Sequence, residues 1–190
     1  MSAKRCPLHA LNLPNRLTLL RVVLAPVYLI LLWLSTRHSP AALRLLALAV
    51  FVLASLTDLL DGQIARRRGL VTNFGKFTDP IADKILTHTA FILLTWMGEL
   101  SPLSCIVFVS REFVVAALRE IAAEQGIVIA AGMSGKVKTV LQMALIVVLT
   151  LPGQALRPLA LTLEVAAVAM TLYSMVEYIA RNRHVLGGAR

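Results

Sequence analysis

DLLDGQIARRRGLVTNFGKFTDPIADK, residues 58 to 84, sets Asp58, Asp61, Asp79 and Asp83 within 26 residues of a chain that is 58% hydrophobic. Ionised carboxylates beside apolar helices are expensive unless they are paired, hold a metal or face water. Their spacing groups them. On a helix, Asp58 and Asp61 are i,i+3 neighbours, with Ala65 one further turn along the same face. Asp79 and Asp83 are i,i+4 and share a face of the next element. Two such faces meeting would build an oxygen-rich pocket suited to a hard cation, Mg²⁺ or Mn²⁺. A solvated acidic hairpin is the plain alternative, and the membrane character of the flanking sequence argues against it.

That character is set by composition. The chain has 190 residues, only 15% of them charged, and its mean hydropathy is +0.78. Such values describe a polytopic membrane protein rather than a soluble domain of the same length. Six helical spans are predicted, at roughly 17–35, 41–63, 81–98, 102–123, 137–152 and 156–180. Charge interrupts several of them. The uncharged runs Val22–Thr36, Leu45–Thr57 and Ile85–Gly98 fall short of the ~20 residues of a full span, and Thr139–Leu156 is the cleanest.

With the N-terminus in the cytosol, these interruptions coincide in depth. Arg21 opens helix 1, Asp58 and Asp61 close helix 2, and Asp79 and Asp83 open helix 3. Arg111 and Arg119 lie in the closing half of helix 4, Lys136 and Lys138 open helix 5, and Arg181 follows helix 6. All fall in one leaflet, which predicts a polar cavity enclosed by the six helices and open to the cytosol. Of the 19 Lys and Arg, all but Arg37, Arg44 and Arg157 lie on that side. This positive-inside bias orients the chain with both termini cytoplasmic. The net charge of +9 is dispersed among the spans, so anionic headgroups and anionic substrates, not nucleic acid, are the expected partners.

A basic N-terminus followed by apolar sequence raises the question of a signal peptide. No small-residue cleavage site follows Leu34, and Arg21 interrupts the hydrophobic run, so the segment is expected to remain as helix 1. Residues 1–16 then form a cytosolic or interfacial segment of a single 1–190 domain. Cys6 and Cys105 fall at different sides or depths, so neither a disulfide nor a cysteine metal site is expected.

The full pattern D-x2-D-G-x2-A-R-x8-G-x3-D-x3-D is filled by Asp58, Asp61, Gly62, Ala65, Arg66, Gly75, Asp79 and Asp83. It resembles the motif of the CDP-alcohol phosphatidyltransferases, with every defining position matched. NLPNRLTLLR (Asn12 to Arg21), SREFVVAALRE (Ser110 to Glu120) and GKVKTVLQ (Gly135 to Gln142) are similar to the bacterial phosphatidylglycerophosphate synthase branch of that family. The resemblance spans about residues 12–180. It implies an enzyme of phospholipid synthesis in the bacterial inner membrane, a homodimer, that transfers the phosphatidyl group of CDP-diacylglycerol to glycerol 3-phosphate and releases CMP. It also implies metal ligation by Asp58, Asp61, Asp79 and Asp83, with two Mg²⁺ or Mn²⁺ ions clamping the diphosphate. Asp83, last in the motif, is the general base by the same resemblance, although neighbouring cations would hold its pKa low.

Residue chemistry fills in the substrate contacts. Helix 2 is expected to continue to about Arg66, with Gly62 and Ala65 presenting so little bulk that a nucleotide can lie against the backbone. Tight helix packing is the other use of such small residues in a membrane. Asp58, Gly62, Ala65, Arg66, Gly75 and Asp79 are the candidate CDP-diacylglycerol contacts, Arg66 by pairing with a phosphate. Asn73 to Asp79 reads as a loop freed by Gly75, with Asp79-Pro80 starting helix 3. For the acceptor, Arg111, Val115 and Arg119 at i,i+4,i+8 predict two guanidiniums along one stripe of helix 4. Lys136 and Lys138 cannot share a helical face if both are helical, so one of them is expected to lie in the entry turn. Arg21, Arg111, Arg119, Lys136 and Lys138 are the candidate glycerol 3-phosphate contacts, and snorkelling toward headgroups is the competing role for each. Glu112 and Glu120 are expected to pair with arginines.

Two rivals compete with this reading. Phosphatidylinositol-phosphate and cardiolipin synthases share the motif, and inositol phosphate is as anionic as glycerol phosphate. A cation or proton transporter would also use intramembrane carboxylates, but such sites favour the midplane and inverted repeats. A scaffold without catalysis leaves the aspartate set unexplained.

Overall fold

Long apolar runs with few internal breakers satisfy their backbone polar groups most simply as helices. The computed structural model describes residues 13–38, 40–68, 73–130, 132–153 and 155–186, leaving aside the side chains of 13–19, 40, 58–68, 73–83 and 186. The described residues are all-helical, with α1 Leu13–Leu34, α2 Pro40–Arg68, α3 Asn73–Trp96, α4 Pro102–Glu124, α5 Met133–Thr150, α6 Arg157–Arg181 and a short α7 Arg183–Leu186. The six long helices fall on the six expected segments. α5 and α6 are long and apolar enough to cross a membrane, and Leu20–Leu34 and Ala41–Thr57 are shorter apolar stretches.

Helix ends follow local chemistry. α3 and α4 both close in Schellman turns around left-handed glycines, Gly98 at φ 74° and Gly126 at φ 72°. Glu99 N–H reaches Leu94 O at 2.9 Å, and Ile127 N–H reaches Ala122 O at 2.8 Å. Only glycine adopts this backbone without a Cβ penalty. Pro102 stands in the first turn of α4, where its missing N–H is harmless.

The chain divides into two compact units, Met1–Leu93 with Thr150–Pro152, and Leu94–Leu149 with Gly153–Arg190. In the first, α1 packs on α2. Arg21, Ala25, Tyr28 and Leu32 are buried on α1 and Ala47, Phe51 and Ala54 on α2, each set at helical spacing along one stripe. The rings of Tyr28 and Phe51 lie 5.4 Å apart in a tilted pair, and the Tyr28 hydroxyl hydrogen-bonds Thr150 Oγ1 at 3.1 Å. Beyond the end of α1, the Arg37 guanidinium stacks 4.9 Å from the Trp33 ring, an amphipathic pairing suited to a membrane interface.

In the second unit, α4 and α6 form the main packed pair. Ser104, Phe108, Arg111, Val115, Leu118 and Ala122 are the buried stripe of α4, and Ala160, Glu164, Ala167, Thr171, Ser174 and Tyr178 that of α6. Lys138, Gln142, Leu145 and Leu149 line the buried side of α5, and Gln142 donates to Thr171 Oγ1 at 3.2 Å. α7 is held by Val185, buried with Val115, Leu118, Ala122 and Tyr178, and by Gln125 Nε2 donating to Val185 O. Cys105 is a buried free thiol; Cys6 lies outside the described residues.

Polar anchors, one buried and one partly exposed, also hold this unit. Glu164 Oε1 accepts from Ser104 Oγ at 2.6 Å and from Ser101 N–H at 3.0 Å, placing a carboxylate at the positive N-terminus of α4. Arg157 Nη1 donates to Glu99 Oε2 at 3.0 Å and to Glu99 O at 3.1 Å. Replacing Glu164 by leucine strands both donors of the first contact, and each lost charge-assisted bond is worth about 1.5–3 kcal/mol. Glu164→Leu should therefore lower the thermal unfolding midpoint in detergent while leaving the substrate KM values of the surviving fold unchanged. An unaltered midpoint would show that the Glu164 contacts add nothing to stability.

The outward faces are apolar. Val23, Ile30, Leu53 and Ile92 in the first unit and Leu103, Phe113, Val140, Val165 and Val176 in the second are exposed. Exposed apolar residues in such numbers, on the faces opposite the buried stripes, mark surfaces made for lipid rather than water.

Candidate functional site

α2 runs unbroken through Asp58, Asp61, Gly62, Ala65 and Arg66 to Arg68, and α3 carries Gly75, Asp79 and Asp83. Both aspartate pairs therefore sit at helical spacing within continuous helices. The side chains of these eight residues lie outside the described residues, and so do the metal and CDP-diacylglycerol contacts expected of them. The donor set itself fits a hard divalent ion, because carboxylate oxygens are the ligands such ions select.

One expectation is corrected here. Asn73 to Asp79 is not a loop, since α3 begins at Asn73, ahead of Asp79-Pro80. Asn ranks with Asp among residues that favour a helix start. Pro80 is then carried inside the helix, where it forfeits one intrahelical bond. Gly75 consequently offers absence of bulk rather than loop freedom.

The basic residues are placed individually. Arg21 is 1% exposed on the inward stripe of α1, so it does not snorkel. Arg111 and Lys138 are likewise buried, at 8% and 4%, and meet at one carboxylate. Arg111 Nη1 donates to Glu112 Oε1 at 2.8 Å, and Lys138 Nζ donates to the same oxygen. Glu112 thus bridges α4 and α5, and its expected pairing with an arginine is present together with a lysine partner the spacing did not announce. Gly135 lies beside this arrangement, where a Cβ would stand 3.4 Å from Arg111 Nη2. Arg111 Nε is buried with no hydrogen-bond partner among the described residues. Two basic side chains from different helices thus share one carboxylate oxygen.

Arg119 does not join it. The residue is exposed, its Nε donates to Tyr178 Oη at 3.0 Å, and its guanidinium lies 5.8 Å from that ring. At 3.6 residues per turn, a position eight residues on is rotated ~80° from the first, so the i,i+4,i+8 stripe drifts off the buried face. The expectation that Lys136 or Lys138 lies in the entry turn is corrected: α5 begins at Met133, both lysines are helical, and Lys136 is exposed. Their spacing of two puts them on different sides of α5, and Lys138 has the inward one.

The comparisons with known proteins bear on what this arrangement serves. The family model described as CDP-alcohol phosphatidyltransferase matches residues 11–174. This chain belongs to the CDP-alcohol phosphatidyltransferase family. Among individual relatives, this phosphatidyltransferase chain is 41% identical over 180 residues to a probable phosphatidylglycerophosphate synthase of Mycobacterium tuberculosis, covering 94% of this chain and 85% of that protein. It is 38% identical over 188 residues to a CDP-diacylglycerol–glycerol-3-phosphate 3-phosphatidyltransferase of Bacillus subtilis, covering 92% and 97%. A Shigella flexneri protein of the same name is 37% identical over 177 residues, covering 90% and 95%. The matched region takes in the aspartate motif, the Glu112 cluster and most of α6. The lengths of α5 and α6 and the apolar outer faces suit a protein that sits in a membrane.

Proposed function

We propose that the protein transfers the phosphatidyl group of CDP-diacylglycerol to glycerol 3-phosphate, giving phosphatidylglycerophosphate and CMP, as the names of its relatives describe for them. The acceptor hydroxyl attacks the phosphorus that carries diacylglycerol, the bond to the CMP oxygen breaks, and the hydroxyl proton passes to Asp83. Asp58, Asp61, Asp79 and Asp83 supply carboxylate oxygens to two Mg²⁺ or Mn²⁺ ions, whose charge would neutralise the diphosphate. Gly62, Ala65 and Gly75 keep the helix surfaces low beside the donor, and Arg66 pairs with a donor phosphate. Phosphoryl transfer asks little covalent chemistry of a protein, so positioning and charge carry the rate.

The observation that carries the choice of acceptor is the buried cluster in which Arg111 and Lys138 meet at Glu112. A phosphate on the acceptor repays burial of two cations; an uncharged alcohol does not. Arg21, Arg119 and Lys136 are assigned to the same substrate on their charge alone. The whole chain works as one domain, six helices crossing the bacterial inner membrane as a homodimer with termini and active site cytoplasmic.

Neutralising Lys138 or Arg111 should raise the KM for glycerol 3-phosphate about 10–150-fold, the equivalent of one charge-assisted contact of ~1.5–3 kcal/mol. The KM for CDP-diacylglycerol should change far less. Equal losses for both substrates would make the cluster structural. An acceptor panel with purified protein tests the assignment as a whole. Glycerol 3-phosphate should outpace inositol phosphate, phosphatidylglycerol and free glycerol, and preference for another acceptor would move the protein to a different branch of the family.

A further inference from the structure

We infer that a pocket at the end of α6 binds the headgroup of a phospholipid that carries a primary ammonium, an inference independent of the acceptor reading above. The pocket has a volume of about 320 Å³ and is lined by Ile127, Val128 and Ile129 on one side and by Glu177, Arg181 and His184 on another. Its level in a membrane follows from the helices that bound it. α5 begins at Met133 and α6 ends at Arg181, and both are long and apolar enough to cross a membrane. Spanning helices end where hydrocarbon gives way to headgroups, so a pocket at the start of one and the end of the other lies at headgroup level. The apolar side is open, with Val128 95% exposed and Ile127 36%. Aliphatic side chains held out at that level suit the glycerol and upper acyl region of a lipid better than they suit water.

The polar side has an unmet need. Glu177 Oε1 pairs with Arg181 Nη2 at 2.6 Å, one turn along α6, whereas Glu177 Oε2 is buried with no hydrogen-bond partner among the described residues. Neighbouring polar groups are engaged elsewhere. Tyr178 Oη accepts from Arg119 Nε at 3.0 Å, and Asn182 Nδ2 donates to Tyr178 O at 2.7 Å. A buried carboxylate oxygen without a donor is costly, so the ligand that fits is one that donates. Charge selects which donor. The Arg181 side chain is 71% exposed, and a guanidinium has five N–H groups, so it can take a phosphodiester while it holds Glu177. His184 is a second donor for that phosphate. Glu177 then needs another cation, and an ammonium two carbons from the phosphate supplies both the charge and the missing N–H. Arg181, phosphate, ammonium and Glu177 alternate in sign. An anionic hydroxylated headgroup would set two negative charges beside one arginine, and a trimethylammonium headgroup has no N–H to give.

The experiment follows thermal unfolding of the purified full chain in detergent as phosphatidylethanolamine, phosphatidylcholine or phosphatidylglycerol is added at equal mole fraction, with soluble glycerophosphoethanolamine as a fourth arm. Phosphatidylethanolamine should raise the midpoint saturably, and the other lipids and the soluble headgroup should raise it much less. Glu177→Gln should weaken the phosphatidylethanolamine response at least about tenfold in half-saturating concentration, the effect of one charge-assisted contact. If Glu177→Gln does not fold, Arg181→Gln, at a largely exposed side chain, should show the same loss. Val128→Ser should weaken the response to the lipid and not to the soluble headgroup. The KM for glycerol 3-phosphate should stay unchanged in all three variants. Equal responses to the three lipids, a preference for phosphatidylglycerol, or undiminished binding in Glu177→Gln and Arg181→Gln would each overturn the inference. Soluble headgroup binding as tightly as the lipid, or variants that change only the KM for glycerol 3-phosphate, would overturn it as well.

Discussion

Asp58→Asn, Asp61→Asn and Asp79→Asn should each reduce phosphatidyl transfer to background while the protein remains folded and inserted in the membrane. Asparagine preserves volume and one oxygen but removes the charge that a hard cation selects. Charge stabilisation by a divalent ion is worth several kcal/mol in the transition state, so the loss should reach three orders of magnitude or more, at ~1.4 kcal/mol per tenfold. EDTA should reproduce the loss in the unmutated enzyme, and added Mg²⁺ or Mn²⁺ should reverse it. Thermal unfolding of each variant in detergent, measured beside activity, separates a folding failure from a chemical one. Full activity of any one variant at limiting metal would remove that residue from the ligand set.

Asp83→Asn should give the second largest effect and distinguish two roles. As general base, Asp83 accepts the proton of the acceptor hydroxyl, and its loss should slow transfer at least ~10²-fold with donor binding intact. As a ligand, its loss should weaken metal affinity in step with the rate. Titrating Mg²⁺ against turnover reads the difference. A variant that remains slow at saturating metal identifies the base, whereas one that recovers identifies the ligand. Near-normal turnover without extra metal contradicts both roles.

Much of the fold was readable because membrane helices obey a few strong constraints. Apolar length and the placement of charge locate all six long helices, and the charges that interrupt the apolar runs draw attention to the aspartates and to Arg21, Arg111, Arg119, Lys136 and Lys138 alike. The misreadings have local causes. Asn73 and Gly75 are common to loops and helix starts, so residue type alone could not show that α3 begins six residues before Asp79. α7 spans four residues, too few to display a period, and owes its place to one buried valine. Arg119 was grouped with Arg111 by counting turns as four residues, an approximation that fails over two turns.

Partners are harder to read than positions. Glu164 has no cation three or four residues away on its helix, and its role emerges only when α6 packs on α4 and brings it to Ser104. Lys138 is distinguished from Lys136 in the same way, by where α5 faces rather than by any property of lysine. Helical period marks which residues lie on one face, but which faces meet is a tertiary fact. The Glu112 bridge, joining residues 26 positions apart, is therefore a product of packing.

Stoichiometric release of CMP from CDP-diacylglycerol by the purified protein tests the central claim most directly. The account predicts that CMP appears only when a divalent metal and glycerol 3-phosphate are both present, one equivalent for each phosphatidylglycerophosphate formed, and that chelation stops both together. CMP release that ignores glycerol 3-phosphate, or the absence of any release with both substrates and metal supplied, would contradict it.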